Sequence, residues 1–282
     1  MDWHFRTIGM GTINYHKAAS RLAREVESTG LFSSSIGHDE EFLKNHTTEF
    51  WQNHKDVLKA RVPGFGWWIW KPEFIGQCLE EIPEGDGILY LDAGSHVAHS
   101  SAAVQEIQKM LILASEDSVV AAHGQTFVEL NYSSSELMDL LGLTNSQRKA
   151  PQHWAGFLLV LNNKKGRKFV GDWRHLTCAN HHEYLIPSRS SLQDHDLIHH
   201  MYDQAILSCL VKSTKQTSIE IGDRQLDGAI RGIRHRYGYG IDENRSIVIF
   251  MYQLIAVASR IRLAIEHRVF RDSLSKRPSN HG

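Results

Sequence analysis

Cysteine, net charge and long apolar runs are what this 282-residue chain has least of, and each shortage excludes a class of protein. The three cysteines, Cys78, Cys178 and Cys209, stand far apart without paired spacing. That argues against a disulfide framework and a zinc knuckle, and it suits a reducing compartment. Lysine and arginine (31) nearly cancel aspartate and glutamate (32), leaving a formal net charge of −1. Such a balance is not built to neutralise a phosphate polymer, so no nucleic-acid partner is expected. The best apolar stretch, 247–258, is too short to cross a bilayer and holds Tyr252 and Gln253. No charged start followed by an apolar run marks a signal peptide. Internal repeats and low-complexity segments are missing as well. The expectation is a soluble, cytoplasmic protein, long enough to bury a substantial core.

What the chain does have is concentrated in two neighbouring stretches. Gly64-Phe-Gly-Trp-Trp-Ile-Trp-Lys-Pro-Glu73 places Trp67, Trp68 and Trp70, three of the seven tryptophans, within four positions. Rings so dense either line a pocket or anchor a core. Ile88-Leu-Tyr-Leu-Asp-Ala-Gly94 then reads as a buried strand that delivers Asp92 to its carboxyl end. In an open α/β sheet that end is where ligands bind.

Periodicity predicts alternating elements. Strands are expected at 5–10, 31–36, 88–91, 118–122 and 155–161. Helices are expected at 17–29, 40–60, 72–82, 102–114, 134–143, 164–177 and 198–212. Such alternation implies a mainly parallel sheet covered by helices on both faces. The polar stretch 179–196 reads as a long loop, and 247–274 as a helix mixing an apolar face with Arg260, Arg262, Arg268 and Arg271. Eighteen histidines raise the question of metal binding, above all around His181, His182, Asp194, His195 and Asp196. Their spacing matches no standard ligand arrangement, and histidines scattered over surface loops are the commoner explanation.

Three groups carry chemistry. Asp92, followed by small Ala93 and Gly94, could hold a divalent cation bridging a diphosphate, accept from a ribose hydroxyl, or merely cap the turn. Asp203-Gln204 in an apolar helical run could stabilise a polar reacting group or face solvent. Arg231, Arg234 and Arg236 could clamp phosphate oxygens or line a solvated loop.

Taken together, Tyr90-Leu-Asp92, Trp154-Ala-Gly-Phe-Leu-Leu-Val-Leu-Asn162 and Tyr202-Asp-Gln-Ala-Ile-Leu207 occur in an order that resembles GT-A-fold glycosyltransferases. The likeness is to the lipopolysaccharide galactosyltransferase and glycogenin kind. The Trp-rich segment also looks like a bacterial group linked to capsule and surface-polysaccharide synthesis. The resemblance implies a nucleotide-diphospho-sugar transferase fold over residues 1–245, with 246–282 as a C-terminal helical extension. It implies a nucleotide-sugar donor, a glycan or lipid-linked acceptor, and Mn²⁺ or Mg²⁺ as cofactor.

Residue by residue, Asp92 matches the first acid of the family's Asp-x-Asp motif, while Gly94 stands where the second should be, so metal dependence is open. Lys71, Trp70, Ala93 and Gly94 would meet the donor, and Thr12 at the end of the first strand would meet the base. His235 would be a late metal ligand. Asp203 and Gln204 would be catalytic beside the donor sugar, with a lean toward retention; inversion would need only one base, Asp203 or Glu183. Trp154-Ala155-Gly156 would line the acceptor side. The 247–274 helix could touch the inner membrane face or pack on protein. Two rivals remain: a nucleotide-sugar-binding protein of this fold without catalysis, and a metal-dependent hydrolase built on the histidines.

Overall fold

A computed structural model describes residues 1–59, 62–186, 196–221 and 228–232. These lie within one compact unit, Met1–Gly240. The expected 247–274 helix, Arg234, His235 and Arg236 lie outside the described residues, as do Asp194 and His195.

The chain begins with β1 (Trp3–Gly9), α1 (Ile13–Glu27), β2 (Ser34–Asp39), α2 (Glu40–His46) and α3 (Thr48–His54). A short turn, α4 (Gly64–Trp67), leads into α5 (Trp70–Glu80), β3 (Gly87–Leu91) and β4 (His96–Val97). Next come α6 (Ser101–Glu116), β5 (Val119–Val128), α7 (Glu129–Tyr132), α8 (Ser135–Leu140) and α9 (Asn145–Arg148). The last are β6 (Pro151–Leu161), α10 (Lys164–Cys178), α11 (Tyr202–Ser213), β7 (Thr217–Glu220) and β8 (Ile230–Arg231).

The main sheet has the order β2-β1-β3-β6-β5-β7. Neighbours pair in parallel except β6, which runs antiparallel to both β3 and β5. The strands other than β6 therefore all point one way, and their carboxyl ends form one edge. The α/β architecture expected from the alternation is the one found, with β6 as the reversed strand. Both faces are covered. Ile88 and Tyr90 of β3 pack with α5, α10 and α11, whereas Leu89 and Leu91 pack with α1 and α6. This two-sided burial explains why β3 reads as an unbroken apolar run.

Local geometry departs from the expected elements in several places. The helix predicted at 40–60 is two short ones, broken at Thr47 (φ −129°, ψ 54°). The strand predicted at 118–122 runs on to Val128. The helix predicted from 198 starts only at Tyr202, because the amides of Ile198 and His199 donate to the Asn131 carbonyl and that of Met201 to Tyr132. The small β4–β8 pair, with His96 opposite Arg231, went unforeseen: two-residue strands carry no periodicity.

Two buried charge networks hold the elements that carry the site. Arg21 on α1 pairs with Glu25 one turn on (2.8 Å) and donates to the carbonyls of Ala93 (3.0 Å) and Ser95 (2.8 Å). Glu25 accepts in turn from the Val97 amide (3.2 Å) and lies 3.1 Å from His96; burial pushes its carboxyl up, but His96 and Arg21 pull it below the ordinary range. The turn after β3 is thus clamped onto α1. On the other side Glu129 of α7, wholly buried, receives Lys212 (2.6 Å), Ser208, Ser133 and Gln152 (3.1 Å). That carboxylate ties α7 and β6 to α11.

Candidate functional site

The four stretches singled out in the sequence meet at the carboxyl edge of the sheet. Asp92 leaves the end of β3 with its amide donating to the Gly156 carbonyl (3.0 Å) on antiparallel β6. Its Oδ1 accepts from the Tyr90 hydroxyl (2.8 Å) and lies 3.2 Å from Lys71 Nζ. Tyr90 and Asp92 sit two apart on an extended strand, so both side chains fall on one face. That spacing could have exposed Tyr90 as part of the site, a role sequence reasoning did not give it. Among the described residues Asp92 Oδ2 has no partner, and the side chain is 33% exposed.

Behind Asp92 stands Lys71, the second residue of α5, only 3% exposed. Its ammonium is 2.8 Å from Asp203 Oδ2, 3.2 Å from Asp92 and 3.3 Å from the Ala155 carbonyl oxygen. The two carboxylates meet the ammonium as ion pairs, while its hydrogen bond runs to the Ala155 carbonyl, and Asp203 Oδ2 has no hydrogen-bond partner among the described residues. Lys71 is thus turned toward these two carboxylates, whereas the resemblance gave it a place at the nucleotide. Burial works against its charge, but the two carboxylates prevail and raise its pKa. Asp203, buried beside it on α11, is pushed up to about 6: burial outweighs the Lys71 ammonium, and Asp92 adds repulsion.

Aromatic rings flank this ion cluster. The half-buried Trp68 ring lies 5.9 Å from Lys71 Nζ and 6.1 Å from the Tyr202 ring. Trp67 (φ 51°), Trp68 (φ 61°) and Tyr202 (φ 48°) all hold left-handed backbone, unusual for bulky residues and a kind of strain that collects at ligand sites. Trp70 is different. It is 5% exposed, its indole N–H donates to the Gly64 carbonyl (2.9 Å), and it belongs to the core. The tryptophan pattern thus splits: Trp70 anchors the loop and Trp68 faces the ion cluster.

The remaining expected residues are spread more widely. Gln204 turns away, its amide donating to Gln152 (2.8 Å) in the Glu129 network, so it is engaged in structure beside its neighbour Asp203. Ala93 packs its methyl on Ala18 and Ala19 of α1 and offers a ligand only its backbone. Gly94 is half-buried in the same turn. Thr12 is exposed and precedes α1 without a side-chain capping bond, and no acid occupies the first turn. A helix start of this kind suits an anion. Gly9, just before it, is packed so closely that a Cβ would come within 2.1 Å of the Tyr15 carbonyl oxygen. At Gly156 a Cβ would strike the Trp154 ring at 2.3 Å. Arg231 lies on β8 with its Nε on the Gly228 carbonyl. Glu183 is exposed and accepts from Asn180.

These residues do not fit a divalent cation. The space between the Asp92 and Asp203 carboxylates holds the Lys71 ammonium, and Gly94 supplies no second acid. Among the described residues no group of three or more His, Cys, Asp and Glu could hold a metal ion. Among the described residues of the histidine-rich stretch, the His182 ring lies 5.0 Å from that of His54, with His182 Nδ1 on the Thr177 carbonyl. No helix among the described residues is long and apolar enough to cross a membrane.

No family model matches the chain, and no curated protein matches it. Among solved structures the chain is similar to the crystal structure of mouse xyloside xylosyltransferase 1 in its apo form. The TM-score is 0.43 at 10% identity, over 78% of this chain and 85% of that one. A likeness of that degree concerns the course of the chain, and no residue role is carried over from it.

Proposed function

We propose that this chain transfers a sugar from a nucleotide diphosphate donor to a carbohydrate or lipid-linked acceptor, in the surface-polysaccharide setting that its sequence resemblance suggests. The observation that carries the reading is convergence. Segments 64–71, 90–95, 154–156 and 202–203 meet around one partly exposed carboxylate at the carboxyl edge of an α/β sheet. Asp92 Oδ2 is placed to accept from a hydroxyl of the donor. The Trp68 ring beside it offers a face for a sugar or base. The start of α1 at Thr12, with no acid in its first turn, suits the diphosphate. In the transfer, the bond from the anomeric carbon to the diphosphate oxygen breaks. The acceptor oxygen bonds to that carbon, and the acceptor hydroxyl proton is released. Lys71 and Asp203 act through Asp92 and are positioning residues.

A second reading has one observation in its favour. Asp203 is only 3% exposed, and the half-buried Gln204 donates its amide to Gln152. On that reading the protein binds a nucleotide sugar without turning it over.

Calorimetry with UDP, GDP and their sugars, followed by an assay for nucleoside diphosphate release with glycan acceptors, tests both. Binding with release that Asp92→Asn abolishes and Asp203→Asn slows is the expected result. Binding without release selects the second reading, and no binding overturns both.

A further inference from the structure

We infer that Lys71 is the built-in counter-ion of Asp92 and Asp203, standing where a divalent cation would have to stand, so that the donor is bound without a metal ion. The donor in this statement rests on the transferase reading; the occupancy of the space between the carboxylates does not.

The Lys71 ammonium lies 2.8 Å from Asp203 Oδ2 and 3.2 Å from Asp92 Oδ1, donates to the Ala155 carbonyl at 3.3 Å, and its side chain is 3% exposed. A cation placed between the same carboxylates would be set against a positive charge that has nowhere else to go. Divalent magnesium or manganese also wants several oxygen ligands at once. Asp92 Oδ1 is shared already between Lys71 and the Tyr90 hydroxyl, so only Oδ2 remains. One free carboxylate oxygen is a poor cation site and a good hydroxyl acceptor.

The surroundings keep Lys71 in place. The ammonium lies 5.9 Å from the Trp68 ring, and both carboxylates come from elements fixed independently. Asp92 follows a turn clamped by Arg21, and Asp203 sits on α11, which the Glu129 network binds to β6. Three charges from three distant segments are thus held by rigid supports, the arrangement expected of a preorganised site rather than an accidental surface pair. What the site recognises through Asp92 is then a sugar or ribose hydroxyl, not a metal-bridged diphosphate.

The test needs two titrations. In the first, Mn²⁺ alone is added to the protein and free Mn²⁺ is read by electron paramagnetic resonance. Wild type is expected to leave the free signal undiminished. A folded Lys71→Met variant is expected to take up one Mn²⁺, and Asp203→Asn in that background to lose it. Stoichiometric uptake by wild type that Asp92→Asn removes overturns the inference. So does a folded Lys71→Met that takes up none, since Lys71 then stands in no cation's place. If Lys71→Met does not fold by circular dichroism, the wild-type titration decides alone.

In the second, UDP and GDP are titrated in EDTA and in Mn²⁺. Equal affinity supports the inference, and binding about tenfold tighter in Mn²⁺ overturns it. Absence of nucleotide binding in both buffers removes the transferase reading, while the first titration still decides the counter-ion.

Discussion

Trp68 and Trp70 are two positions apart in a run that reads as one aromatic cluster, yet they have different employment. Trp70 is buried with its indole N–H satisfied, so Trp70→Ala is expected to cost about 3–5 kcal/mol of stability, measured by urea unfolding. Trp68 is half-buried beside the ion cluster. Trp68→Ala should cost much less stability and weaken nucleotide-sugar binding; a variant with unchanged affinity would return Trp68 to packing. At this scale much of the site was legible. Asp92, Lys71 and Asp203 were each singled out from the sequence, and the structure brings Lys71 within 3.2 Å of both carboxylates. What residue types could not reveal is direction. Gln204 follows Asp203 by a single residue, but a helix turns its side chain by about 100° and delivers it to Gln152.

At the scale of elements, the site depends on how the turn after β3 is tied to α1. Arg21 is 2% exposed and bonds Glu25 together with two carbonyls of that turn. Arg21→Met should destabilise the fold by about 3 kcal/mol, because Glu25 keeps a buried charge with fewer partners. The same change should lower nucleotide affinity by loosening the backbone around Asp92. A loss below about 1 kcal/mol in denaturant titration would place Arg21 with ordinary surface ion pairs and refute the clamp. Element existence was largely legible because β3, α1 and α10 are long and strongly patterned. Element boundaries were less so at 40–60 and 198–201, where tertiary hydrogen bonds outweigh helix propensity. The reversal of β6 left no trace in its sequence, since a strand buried on both faces is apolar whichever way it runs.

For the whole molecule, pH acts chiefly through histidines held neutral in the fold. Burial lowers His38 and His200 to about 4 and His153 to about 3, the last aided by Lys212. The unfolded chain therefore binds more protons as pH falls from the ordinary histidine value of 6.5. Their contribution is fully present above that value and is lost as pH drops toward the folded values. Asp203 has the opposite sign. Burial raises its carboxyl from 3.8 to about 6, so its contribution is present below 3.8 and lost on the way up to 6. Three histidines outweigh one carboxyl, and the melting temperature should fall between pH 6.5 and 4. His153→Gln should make that fall shallower in a calorimetric series; a flat wild-type profile would contradict the assignment.

The sequence by itself determined the α/β class, the carboxyl-edge position of Asp92 and the residues worth watching. Those follow from local pattern: apolar runs, turn residues and an acid at a strand end. Only the tertiary structure decided what these residues are to one another. Lys71 and Asp203 are separated by 132 positions, as their numbers give, and nothing local says that a buried ammonium will fill the space between two carboxylates. That outcome depends on which way α5 and α11 face across β3 and β6. Desolvation then makes it binding, since the buried Lys71 and Asp203 must satisfy one another.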